Sequence, residues 1–109
     1  MKIFLLILII VLAGLGYWYF TNKPFDQFNI QSLTLKAKNL YLDKKATGTD
    51  FSTGPCISQD IAPDWVVDIA HNPREQIDNE IENQCSTYLE GKAHHFIELD
   101  PDGNFLRAQ

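Results

Sequence analysis

Cysteine and histidine are the residues in this 109-residue chain with most capacity for chemistry, and they number two and three. An even cysteine count in an exported domain points to a disulfide, here between Cys56 and Cys85. In the chain-entropy picture, closing that loop stabilises the fold by roughly 3.5 kcal/mol. The bridge is expected to tie the loop before a central strand to a helix after it. The competing arrangement is a Cys2His2 zinc site drawn from Cys56, His71, Cys85, His94 and His95 in a reducing compartment. Spacing gives it no support. Neither cysteine belongs to a C-x2-C pair, and the adjacent His94 and His95 of a strand point to opposite faces. No metal and no cofactor is expected. A cysteine, histidine and acid nucleophilic set has the same weakness, because one of each can be drawn from most chains of this length.

His71 is the most informative single residue. It ends an apolar run, follows Asp68 by three positions and precedes an expected helix start at Asn72 and Pro73. Free N–H groups and the helix dipole at such a start favour negative charge. His71, Asn72 and Arg74, with His95 if the fold brings it near, therefore form a candidate anion or ligand site. The plainer reading, a histidine that closes a strand with local hydrogen bonds, weighs against it. Asp100-Pro101-Asp102-Gly103-Asn104 superficially resembles the opening of a calcium loop, but no glutamate follows at the twelfth position, and a tight turn accounts for these residues. Asp60, Asp64 and Asp68 recur every four positions, yet Pro63 and the β-branched residues after it oppose the helix that would align them.

Trp65 to Ala70 (WVVDIA) reads as the core strand. After it, Asn72 as N-cap, Pro73 at the first helical position and Glu75 at the third predict a helix whose apolar stripe is Ile77, Ile81, Cys85 and Tyr88, ending between Glu82 and Glu90. Ala93 to Leu99 and Asn104 to Ala108 flank Asp100 to Gly103 as a β-hairpin, with Pro101 setting one corner and Gly103 taking the left-handed conformation. Upstream, Leu33, Leu35 and Ala37 alternate with Thr34, Lys36 and Lys38, which predicts a half-buried strand within Asn29 to Asp43. Lys44 to Pro55 reads as a loop.

The strongest constraint lies at the N-terminus. Ile3 to Phe20 contains no charged side chain, and at 1.5 Å per residue it nearly matches the hydrocarbon core of a bilayer as a helix. Tyr17, Trp18, Tyr19 and Phe20 suit the membrane interface, whereas cleavage after Gly16 would leave them as an exposed new terminus. An uncleaved anchor is therefore favoured over a signal peptide and secretion, with the domain expected outside the cytoplasm. Charge follows placement. Lys23, Lys36, Lys38, Lys44 and Lys45 lie nearest the anchor, while Ala46 to Gln109 holds three basic residues against twelve carboxylates. That acidity disfavours nucleic acid.

The expected architecture is α+β: a membrane anchor over 1–22, a stalk over 23–29, and over 30–109 a small acidic domain with a mainly antiparallel sheet, one helix and a C-terminal hairpin. Its partners are expected to be the bilayer, through Ile3 to Phe20, and a protein or envelope component. The function expected of it is binding or structural rather than enzymatic. The alternative is a small envelope enzyme or metal-binding domain using His71 with Cys56, Cys85 or His95.

Overall fold

A computed structural model describes residues 1–21 and 27–109. Helix α1, Lys2–Thr21, is the apolar segment. Its 20 residues reach about 30 Å, and it is long and apolar enough to cross a membrane. Every side chain from Met1 to Tyr19 is exposed. The expected stalk over 23–29 lies outside the described residues as far as 26, and the rest of it belongs to the backbone of a second helix.

That helix, α2 (Gln27–Ala46), corrects the strand expected within Asn29 to Asp43. Two periods compete in the same residues. Leu33, Leu35 and Ala37 alternate, but Ile30, Leu33, Ala37, Leu40 and Tyr41 recur at threes and fours over a longer span. The helical period wins: Ala37 and Tyr41 are buried, Ile30, Leu33 and Leu40 pack against the core, and Leu35 and Leu42 are left exposed at 65% and 58%. Lys44 and Lys45 stand in the last turn, where cations suit the dipole. A Schellman cap ends the helix, with the N–H of Thr49 donating to the carbonyl of Lys44 and that of Gly48 to the carbonyl of Lys45, both at 3.1 Å.

The sheet has the order β1-β2-β3-β4, built from β1 (Cys56–Ala62), β2 (Trp65–Ile69), β3 (His95–Leu99) and β4 (Phe105–Ala108). The outer two pairings are antiparallel and the central β2–β3 pairing is parallel, so the α+β fold with its C-terminal hairpin is as expected. β1 was not foreseen. It follows two register shifts against β2, and the turn between them runs through Pro63 and Asp64, the latter at φ 73°. The C-terminal hairpin closes as expected, with Gly103 at φ 86° and the Asp100 carboxylate accepting the backbone N–H groups of Asp102 and Asn104. Its turn is tied to α2 by the Tyr41 hydroxyl, which donates to the carbonyl of Pro101 at 2.8 Å.

The two faces of the sheet differ. One carries Ile57, Ile61, Trp65, Val67, Ile69, Ile97 and Leu99, packed under α2 with Phe51 as the main core. The other carries Val66 and Phe96, which with Ala93 and the Cys56–Cys85 disulfide form a smaller apolar cluster beside polar residues.

The segment from β2 to β3 crosses this second face, and it corrects the helix expected from Asn72 to Glu90. Only two 3-10 turns, Gln76–Asn79 and Ile81–Asn83, and a four-residue helix α3, Ser86–Leu89, form there. The physical reason is competition for backbone groups. The buried Asp78 carboxylate accepts the N–H of His71 and of Glu75, Asn83 donates to the carbonyl of Ile77, and Gln84 donates to that of Asn79. Ile81, placed on the apolar stripe, is 77% exposed. Cys85 is held down by its bond to Cys56, with Cα atoms 5.0 Å apart.

Replacing both cysteines by alanine removes a cross-link between residues 29 apart, and is expected to lower unfolding free energy by roughly 3.5 kcal/mol. Urea unfolding of the two proteins checks this, and an unchanged midpoint would contradict it.

Candidate functional site

Asp78 organises the turn at which β2 leaves the sheet. Its side chain is 1% exposed and receives three donors: the N–H of His71 at 3.0 Å, the N–H of Glu75 at 2.9 Å and His71 Nδ1 at 2.9 Å. Burial by itself would raise its pKa, but these donors together hold the carboxyl below its ordinary value. As the carboxylate is ionised, His71 Nδ1 carries the proton it donates, and Nε2 faces Glu75 at 3.6 Å. Gly54 permits this close packing, because a Cβ there would overlap Asp78 Oδ1 and lie 3.1 Å from the carbonyl oxygen of Ile69. Of the residues expected to meet an external anion at this turn, His71 is thus engaged by the chain's own carboxylate.

Arg74 lies beyond this turn and reaches back to the sheet. Its Nε donates to Asn79 Oδ1 at 2.8 Å, its Nη2 to the carbonyl of Asp78 at 3.3 Å, and its Nη1 stands 3.6 Å from Glu98 Oε2. Glu98, on β3, is 7% exposed and is also approached by Arg107 of β4, with Nε 3.3 Å from Oε1 and Nη2 3.5 Å from Oε2. The Arg107 guanidinium lies 5.2 Å above the Phe96 ring, whose other neighbour is Tyr88 in an edge-on contact at 5.4 Å.

Asp68 is the register partner of Glu98 across the parallel pair, so the two acids project side by side from the same face. No arginine bonds to it. Its Oδ1 is the one buried side-chain oxygen or nitrogen among the described residues without a hydrogen-bond partner. Burial, followed by the charge of Glu98, pushes its pKa up to about 8, against the Ile69 amide and Arg74. These residues line a cleft of about 320 Å³ bounded by Asp68, Arg74, Tyr88, Phe96, Glu98 and Arg107. A second cleft of about 300 Å³, reaching His71 and Asn72, shares Arg74, Glu98 and Arg107 with it. A polar surface therefore runs from His71 to Asp68, on which Glu98 is paired with two arginines while the Asp68 carboxyl, raised to about 8 and bonded to neither arginine, holds its proton near neutrality.

Of the residues singled out in the sequence, His71, Asn72 and Arg74 come together on this surface, while His95 does not. The parallel register sets His95 beside Trp65, at the start of the strands, and His71 beyond Ile69, at their ends. His95 stacks on Trp65 at 4.8 Å and its Nε2 lies 3.6 Å from Asp64, whose carboxyl also bonds His94 Nδ1. The Cys56 and Cys85 sulfurs are joined, which removes both thiolates from ligand or nucleophile chemistry. Asp68, Asp78, Glu98 and Arg107 were not singled out as site residues. The β-branched pattern of WVVDI, with one acid inside it, was the available signal for Asp68. Comparison with protein-family models, curated proteins and solved structures returns no match.

Two variants test this geometry. Asp78→Ala leaves two backbone N–H groups without their acceptor and is expected to cost about 3 kcal/mol in denaturant unfolding; a loss within error would show that these bonds do not organise the turn. Asp68 has a pKa raised in the folded state, so the stability it contributes is complete below the unfolded carboxyl value and is lost as pH rises through about 8. Asp68→Asn is expected to flatten the decline of stability between pH 5 and 9, at up to about 1 kcal/mol per pH unit. Thermal unfolding across that range is the measurement, and parallel pH profiles for the two proteins would refute the assignment.

Proposed function

We propose that this chain is a single-pass membrane protein that displays a small disulfide-braced binding domain on the extracytoplasmic side, with the Asp68–Glu98 cleft as its recognition surface. The observation that carries this reading is the exposure of α1 from Lys2 to Tyr19, an apolar helical stretch for which a bilayer is the matching solvent. Placement outside the cytoplasm is supported by the disulfide, since such bonds persist in oxidising compartments. The partner is then a protein or an envelope component; the acidity of Ala46 to Gln109 speaks against a nucleic acid. Binding is favoured over turnover because the charged groups of the cleft, Arg74, Glu98 and Arg107, are bonded to one another rather than left free for a reacting group.

The bond between His71 and Asp78 favours a second reading, an acid–base enzyme in which His71 acts with Asp78 rather than with a cysteine or His95. A turnover abolished by His71→Ala, in a protein that stays folded, would select it.

The primary reading predicts that the full chain, expressed with its own N-terminus, stays in the membrane pellet through alkaline carbonate extraction. A cysteine introduced at exposed Ser52 is expected to react with a membrane-impermeant maleimide in intact cells. Recovery of the intact chain in the aqueous fraction would overturn the anchor, and labelling only after lysis would overturn the sidedness.

A further inference from the structure

The inventory of donors and acceptors in the cleft is unequal. Each side-chain nitrogen position of Arg74 is engaged, by Asn79, Asp78 and Glu98. Arg107 is turned onto Glu98 and lies over the Phe96 ring. An anionic ligand would have to break these contacts and face two acids. The group left over is an acceptor, the Asp68 carboxyl, which lines the cleft with no arginine bound to it and with Oδ1 unpartnered. The missing complement is a donor, and a positive one suits the surroundings best. The chain from Ala46 onward is strongly acidic, and Tyr88 and Phe96 supply aromatic walls for an alkyl stem or an ammonium group. A cleft of about 320 Å³ is at the small end of ligand sites, the size for one side chain rather than an extended molecule.

We propose that the Asp68 cleft receives a primary ammonium group on an alkyl chain, supplied by a free amine or by a lysine side chain of a partner protein. The proposal rests on the reading of this domain as a binding module, and adds the class of its ligand. Binding exchanges a proton for the ligand's charge: the carboxyl gives up its proton to solvent as the ammonium arrives, and the net charge of the occupied cleft equals that of the empty, protonated one. The charged and titratable groups facing Asp68 are Glu98 from β3, Arg107 from β4, Arg74 and Asp78 from the crossover and Tyr88 from α3.

The test uses the full chain in lipid nanodiscs and isothermal titration calorimetry with three probes: cadaverine, lysine capped as amides at both ends, and 1-pentanol. Saturable binding of at least one amine is expected with a Kd of about 1 mM or tighter, and none for pentanol. Affinity should rise about tenfold per pH unit below pH 8 and level off above, with proton release seen as a heat that depends on the buffer. Asp68→Asn should weaken the amine at least about tenfold and abolish the pH dependence. Binding of capped lysine identifies a protein side chain as the source, and binding of cadaverine alone a free amine. Absence of saturable amine binding, equal binding of pentanol, or unchanged amine binding by Asp68→Asn would each overturn the proposal. Membrane retention does not involve Asp68, so failure here and failure of the anchoring are read separately.

Discussion

The parallel pairing of β2 with β3 is the constraint from which the rest of the domain follows. Two antiparallel neighbours can be joined by a turn, but parallel neighbours need a chain that travels back across the sheet. In this domain the return path runs from Ala70 to His94 over the face opposite α2, and it contains no helix long enough to satisfy its own backbone. Its order comes from two fixed points. One is the buried Asp78 carboxylate, which gathers the donors of the turn leaving β2. The other is the covalent link from Cys85 to Cys56 at the start of β1. Where the return path covers the sheet there is a small apolar cluster, and where it does not there is a polar cleft.

The same constraint explains why the charged residues stand where they do. A strand buried on both faces is ordinarily apolar throughout, and β2 is so except at Asp68. Parallel register then sets Glu98 beside it and β4 sets Arg107 opposite Glu98. The arginines neutralise the more deeply buried acid, and Asp68 is left to be stabilised by protonation. The uneven treatment of two neighbouring carboxyls is a product of strand order rather than of any local motif.

Much of this was legible before the structure, and what was not has identifiable causes. The apolar length of α1, the WVVDI strand, the DPDG turn and the pairing of two cysteines each rest on local chemistry, which sequence reports well. α2 was misread because alternation at Leu33, Leu35 and Ala37 is contained within a longer helical stripe, and only the wider window separates them. β1 escaped because its polar Gln59 and Asp60 are exposed at a sheet margin and its register slips twice. The stripe from Ile77 to Tyr88 satisfied a helical period, yet backbone donors were claimed by Asp78, a contact that no spacing rule anticipates. At the site, His71 and Arg74 are near neighbours in sequence and lie on one surface. That His95 lies at the opposite end of the strands from them, and that Asp68 stands beside Glu98, is not legible in sequence, because both relations depend on which way β3 runs.

One contact links the ends of the domain. The Tyr41 hydroxyl on α2 donates to the carbonyl of Pro101, so the turn of the last hairpin is attached to the helix that follows α1. An early helix and the last turn of the described domain are thereby joined directly. Loosening of α2 and fraying of the last hairpin would each forfeit that bond, so the two ends brace one another against local opening.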